Sequence, residues 1–376
     1  MLKKRLFAPG PTPVAEDVLL EMAQPIFHHR TKQFRDLMKQ VTDDLKYLFQ
    51  TERDVFTMTG SGTVAMEAAI ANCVAPGEKV LCVRGGKFGE RWSEIAVAFG
   101  ASAVNLDVEW GTAASPEQIA DALEKDPEIV AVAIQHCETS TGTVADVEGI
   151  ARAVARTPAI LIVDGITGIG ALPFYMDRWQ ADIVVTGSQK ALMLPPGLGF
   201  IAVSEKAWKR LEGIQSPTYY ANLKAYAKGI SKGDTPYTPA CTLIVGAHKS
   251  LAAIRAESLE EVWAQTSLRA RATRAAADAL GLPLLSQSPA DSVTALRVPD
   301  GVDGEKLTKV LAEKLGIRIA GGQAHLKGKI IQVASRINQA QPSSVVTIVV
   351  LDIRCQHMPQ QPALSHTTAA QYVAMG

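Results

Sequence analysis

Apolar residues in this chain gather into short, nearly unbroken runs set between amphipathic stretches. IVAVAIQHC at 129–137, AILIVDGI at 159–166 and DIVVTGS at 182–188 have the continuous apolar character of strands buried on both faces. VLCVRGG at 80–86 and SAVNLDV at 102–108 also read as strands, with helical patterns near 90–100 and 116–124. From Phe34 to Phe49 the period is that of a long amphipathic helix, with Leu37, Val41, Leu45 and Leu48 on one face. Strands alternating with helices predict an α/β fold, a mostly parallel sheet covered by helices.

The first 20 residues, with Pro9, Gly10, Pro11 and Pro13, read as an extended arm, and the pattern turns helical from Glu16 to Ala23. His28 and His29 suggest a metal site only in isolation; without a third ligand nearby, a loop or interface role fits them better. With 376 residues and 47% hydrophobic content, the chain can bury a large core. Lys+Arg and Asp+Glu are both 38, so no overall field favours nucleic acid, and no apolar run has the length of a membrane span. The expected compartment is the cytoplasm. The five cysteines, Cys73, Cys82, Cys137, Cys241 and Cys355, show no metal spacing and are expected to be reduced and mostly buried.

Each central run ends in small or polar residues: HCETSTG, DGITGIG and GSQK. In open α/β sheets ligands collect at the carboxyl ends of strands, and Lys190 stands there alone, after the run 183–185 and before a Pro-Pro-Gly corner. An apolar setting lowers a lysine's pKa, and the neutral amine attacks carbonyls, so Lys190 is a Schiff-base candidate; a solvated loop lysine is the plainer alternative. Gly60, Ser61, Gly62 and Thr63 precede a helix expected from about Thr63 to Val74, where free N–H groups and the helix dipole suit a phosphate, although Ser or Thr there also serves simply as an N-cap. The lysine and spacing of a P-loop are absent, and no dinucleotide-binding glycine pattern follows a strand. Asp164 closes an apolar strand and either caps a turn or holds a buried cation. A phosphate cup, a strand-end Asp and a strand-end Lys in this order describe a pyridoxal phosphate site, with Asp164 keeping the ring nitrogen protonated so that the ring draws electrons.

The motifs SGTVAMEAA, GKFGER, HCETSTGT, VDGITGIGA and GSQKALMLPPGLGF resemble those of the class V pyridoxal-phosphate transferases, close to the alanine/serine–glyoxylate aminotransferases. The resemblance runs from GPTPV near the N-terminus to about LKGKII at 326–331. It implies a fold type I PLP-transferase with a large cofactor domain, here 21–250, and a smaller C-terminal α+β domain, 251–376. It assigns Lys190 to the covalent lysine and Asp164 to the ring-nitrogen partner. Phe88 resembles the stacking aromatic, Thr139 the hydroxyl residue beside the ring oxygen, and Ser61, Gly62, Thr63 and Gln189 the phosphate ligands. It further implies a homodimer in which GDTPYTPA at 233–240 completes the partner's phosphate site, with Thr235 the first choice and Tyr237 the second. The implied reaction moves an amino group from alanine or serine to glyoxylate or pyruvate, so the partners are small amino acids and 2-oxo acids.

Relatives of this kind place an arginine for the substrate carboxylate after G-K-I; Gln332 stands there. Residues 332–376 contain seven glutamines, one acidic residue (Asp352) and no lysine, and 345–353 reads as a strand where the family has helix. This segment is either a diverged tail or a reading-frame artefact in the recorded sequence. Arg336 is a weak substitute for the missing arginine. Some chains of the subfamily are labelled as a soluble hydrogenase subunit, but hydrogen chemistry calls for paired cysteines, which the sequence lacks. Cysteine desulfurases carry a histidine where Gln189 stands. A cofactor-binding protein without turnover is the remaining alternative.

Overall fold

A computed structural model describes residues 4–335. Its centre is a seven-stranded sheet of β1 (Val55–Thr59), β2 (Lys79–Arg84), β3 (Ser102–Asp107), β4 (Ile129–Gln135), β5 (Ile160–Asp164), β6 (Ile183–Gly187) and β7 (Leu198–Val203). The strands lie in the order β1-β7-β6-β5-β4-β2-β3, and only β7 runs antiparallel to its neighbours. The mostly parallel sheet expected from the continuous apolar runs is present. Every residue of β5, β6 and β7 is buried, whereas the edge strand β3 alternates between exposed and half-buried positions.

Alternate residues of each central strand feed two cores, because successive side chains point to opposite faces. Leu161, Val163 and Val184 pack with Phe34, Leu45 and Phe49 of α2 (Lys32–Phe49) on one face. Ile162, Ile183 and Val185 pack with Met66 and Ile70 of α3 (Gly62–Cys73) and with Trp92 of α4 (Lys87–Ala98) on the other. Burying each such large side chain contributes about 1.5–3 kcal/mol. Thr31 caps α2 by accepting from Phe34 N–H at 3.3 Å. The helix starts two residues before the expected Phe34 because that cap lies outside the apolar stripe.

Helix α5 (Cys241–Glu257) runs unbroken through residue 250, and α6 (Leu259–Ala279) follows it. Beyond them a three-stranded antiparallel sheet sets β8 (Val293–Arg297) against β10 (Ile330–Ala334), with the two-residue β9 (Ala320–Gly321) on β10's other side. Leu296, Ile331 and Val333 form its core with Leu307 and Leu311 of α7 (Gly304–Lys314) and with Phe7 from the N-terminal arm. The arm is extended up to Ala15, and its Arg5–Leu6 pairs in parallel with Ile317–Arg318. Cys73, Cys82, Cys137 and Cys241 are buried and free. Among the described residues no helix is long and apolar enough to cross a membrane. The stretch 345–353, expected as a strand, together with Arg336 and Cys355, lies outside the described residues.

Candidate active site

The carboxyl ends of β4, β5 and β6 lie side by side, with Gln135 opposite Asp164 and Asp164 opposite Val185. Asp164 is 4% exposed. Its Oδ1 accepts from Ile166 N–H at 2.8 Å, and its carbonyl accepts from His136 N–H at 2.9 Å. Burial pushes the carboxyl from its ordinary 3.8 up to about 7, against the pull of the Ile166 bond.

Lys190 follows β6 by three residues. Ser188 shapes the turn, donating its Oγ to Pro195 O at 2.7 Å and accepting from Leu198 N–H at 3.2 Å. The N-terminal arm then closes over it: Thr12 Oγ1 donates to Lys190 O at 2.7 Å, and Thr12 N–H to Gln189 O at 3.0 Å. Desolvation pulls the Lys190 amine below its ordinary value, with the Asp164 carboxylate opposing. A Cβ on Gly10 would fall 2.5 Å from Lys190 Cδ, Cε and Nζ, so a larger residue there displaces the end of the lysine side chain. Gly10→Ala is therefore expected to fold normally, because the flexible end of Lys190 gives way, but to attach cofactor at least several-fold more slowly. Stopped-flow absorbance after mixing with pyridoxal phosphate measures this, and an unchanged rate contradicts it.

Ser61 occupies the N-cap of α3 without spending its hydroxyl on the helix. The first turn of α3 is pressed against the end of β6: a Cβ on Gly62 would meet Ile166 Cδ1 at 2.6 Å, and one on Gly187 would lie 3.3 Å from Gly62 N. Gln189 points into the same region with its Oε1 buried and without a hydrogen-bond partner. Ser61, Gly62, Thr63 and Gln189 thus surround one helix N-terminus beside Lys190.

Phe88 is the second residue of α4, and the Arg91 guanidinium lies 4.8 Å over its ring. Thr139 Oγ1 shares a 2.5 Å hydrogen bond with Thr167 Oγ1. Two further residues join them, of which the sequence marks only Gln332. Glu138 is buried and accepts from the N–H groups of Phe88, Gly89 and Ser140. Gln332, the departure from the expected arginine, is 2% exposed and donates its Nε2 to Thr139 O at 2.7 Å. Their place in the site appears only once the strand ends and the small sheet bring them together. Thr235 lies elsewhere, donating its Oγ1 to Tyr237 O at 2.8 Å while its carbonyl accepts from Arg30 Nη1 at 2.9 Å. His28 and His29 stack on one another, ring centroids 4.7 Å apart.

These residues fit a planar, phosphate-bearing cofactor. The open N-terminus of α3 with the unspent Ser61 hydroxyl suits a phosphate. The buried acid at the end of β5, in need of a cation, suits a protonated ring nitrogen, and the desolvated amine suits an aldehyde.

Comparison with known proteins agrees with this chemistry. The family model for aminotransferase class-V matches residues 7–344. A protein from Anabaena cylindrica named soluble hydrogenase 42 kDa subunit is 41% identical over 336 residues, covering 88% of each chain. The serine–glyoxylate aminotransferase of Methylorubrum extorquens is 38% identical over 344 residues, covering 88% of this chain and 86% of that one. The crystal structure of an alanine–glyoxylate aminotransferase from Nostoc sp. superimposes with a TM-score of 0.90 at 28% identity, covering 94% of this chain and 96% of the other. An open helix N-terminus, a buried strand-end acid and a desolvated lysine at the carboxyl end of one sheet accord with the match along most of the chain, which makes this protein a member of the class-V aminotransferases, enzymes that work with pyridoxal 5'-phosphate.

Proposed function

We propose that the protein transfers the amino group of a small amino acid, alanine or serine, to glyoxylate or pyruvate, with Lys190 as the residue that binds the cofactor covalently. The observation that carries this reading is the desolvated Lys190 amine beside the buried Asp164 carboxyl, with Gly10 of the N-terminal arm lying against the lysine side chain. Pyridoxal phosphate supplies an aldehyde that takes up amino groups and a ring that draws the electron pair from the substrate Cα. Ser61, Gly62, Thr63 and Gln189 would hold its phosphate. Phe88 would cover one face of its ring, Thr139 would lie beside the ring oxygen, and Asp164 would keep a proton on the ring nitrogen. Lys190 would be the nucleophile in cofactor attachment, and its amine, free once the donor amine takes its place, would carry the proton from the substrate Cα to the cofactor and back again in the reverse half-reaction. The named serine–glyoxylate and alanine–glyoxylate relatives support the choice of donor and acceptor.

The same reading makes the protein a cytoplasmic homodimer, in which Thr235 completes the phosphate site of the partner subunit. With Gln332 in place of an arginine, its amide bound to Thr139 O, the substrate carboxylate needs another partner, and Arg91 is the guanidinium beside Phe88.

The test is a half-reaction. Absorbance of the loaded enzyme is expected to bleach with alanine and return with glyoxylate. Colour without a response to any amino acid would mean a binding protein without turnover, and a colourless protein that takes up no cofactor would sink the reading altogether.

A further inference from the structure

Two helices turn their N-termini toward this site, and the chain treats them differently. The first turn of α3 keeps its capping hydroxyl unspent, whereas the first turn of α4 is filled from within by Glu138. The Glu138 carboxylate accepts from Phe88 N–H at 3.1 Å, Gly89 N–H at 2.9 Å, Ser140 N–H at 3.0 Å and Ser140 Oγ at 2.6 Å. Ser140 Oγ in turn accepts from Lys87 N–H at 2.9 Å, so one Glu–Ser pair engages three successive amides of the helix start. The space a Cβ would take at Gly86 is already filled by Glu138 and Ser140. A carboxylate at a helix N-terminus is favoured by the dipole, and four donors stabilise its charge in a buried place.

Phe88 is thereby held twice, its backbone by Glu138 and its ring by the Arg91 guanidinium. We infer that Glu138 is a positioning residue that fixes the plane of Phe88, and so sets the aromatic wall of the site, while adding a negative charge beside Asp164. This rests on the reading that Phe88 and Asp164 face the cofactor ring. Burial raises the Glu138 carboxyl above its ordinary value, with the four donors opposing, and its charge is one of the influences that raise Asp164. A residue that only capped a helix would leave the pH behaviour of the site alone; this one would not.

Glu138→Gln and Ser140→Ala separate the two effects. In the cofactor-free protein, hydrogen exchange is expected to be roughly tenfold or more faster at Phe88 and Gly89 in E138Q, and at Lys87 in S140A, because each loses a charge-assisted or buried bond. In the loaded enzyme, E138Q is expected to move the pH midpoint of the cofactor's absorbance downward, since a negative charge that favours protonated forms is gone, and S140A to leave it in place. Unchanged exchange at these amides, or an unchanged midpoint in E138Q, overturns the inference. If E138Q does not fold, S140A alone carries the exchange test, and unaltered exchange at Lys87 decides against it. A wild-type protein that takes up no cofactor would instead overturn the function reading. The two failures are told apart because exchange is read without cofactor.

Discussion

Lys190→Ala protein is expected to lose at least about 10³-fold in amino-transfer rate, and borohydride treatment of its cofactor-loaded form should leave no added mass. The size follows from asking one amine to do two jobs. It attaches the cofactor covalently, and it moves the proton at the substrate Cα, a task worth about 10²–10⁴-fold by itself. The substitution leaves the fold alone, because the structural bonds at this position belong to the backbone: Thr12 Oγ1 and Met193 N–H both reach the Lys190 carbonyl. Intact mass after reduction and a thermal melt check the two statements together. A variant within tenfold of the wild-type rate would remove Lys190 from the chemistry.

Asp164→Asn is expected to lower the transfer rate by about 10²-fold or more, yet to make the cofactor-free protein more stable at alkaline pH. The second effect follows from the sign of the pKa change. Burial raises the folded-state carboxyl from its ordinary 3.8 to about 7, so the folded protein holds that proton more tightly than the unfolded chain. The stability this contributes is complete below about pH 4 and is lost as pH rises through about 7. At about 1.4 kcal/mol per unit of pH, the loss reaches on the order of 4 kcal/mol. Asparagine does not titrate and keeps an oxygen for Ile166 N–H, so the variant escapes this loss. Urea midpoints of both cofactor-free proteins from pH 4 to 8 test this, and parallel curves would refute it. Loading the wild type should flatten its curve, because a protonated ring nitrogen gives the carboxylate a partner.

How much of this was legible in the sequence depended on how far apart the interacting residues lie. β4, β5 and β6 stand out as apolar runs because both faces of the sheet are covered, and their polar ends mark the site without any knowledge of contacts. Lys190 and Asp164 stand out as candidates from that pattern, each with a plainer local reading beside it. Glu138 does not: within HCETSTG it resembles a loop acid, and the amides it serves lie about 50 residues upstream. The sequence marks Gln332 as a departure from the expected arginine, but its bond to Thr139, 193 residues away, needs the small sheet to be in place. The fit of Gly10 against Lys190 is hidden for the same reason, since no local periodicity records the crossing of two distant segments.

The pairing of Arg5–Leu6 with Ile317–Arg318 also has a consequence during biosynthesis. The first strand leaves the ribosome long before its mate, so it stays unpaired until nearly the whole described chain has been translated. Thr12 of the same leading segment finds its partners at Gln189 and Lys190 much earlier, so the arm is anchored in two stages, first at the strand end near Lys190 and only at the last along Ile317–Arg318.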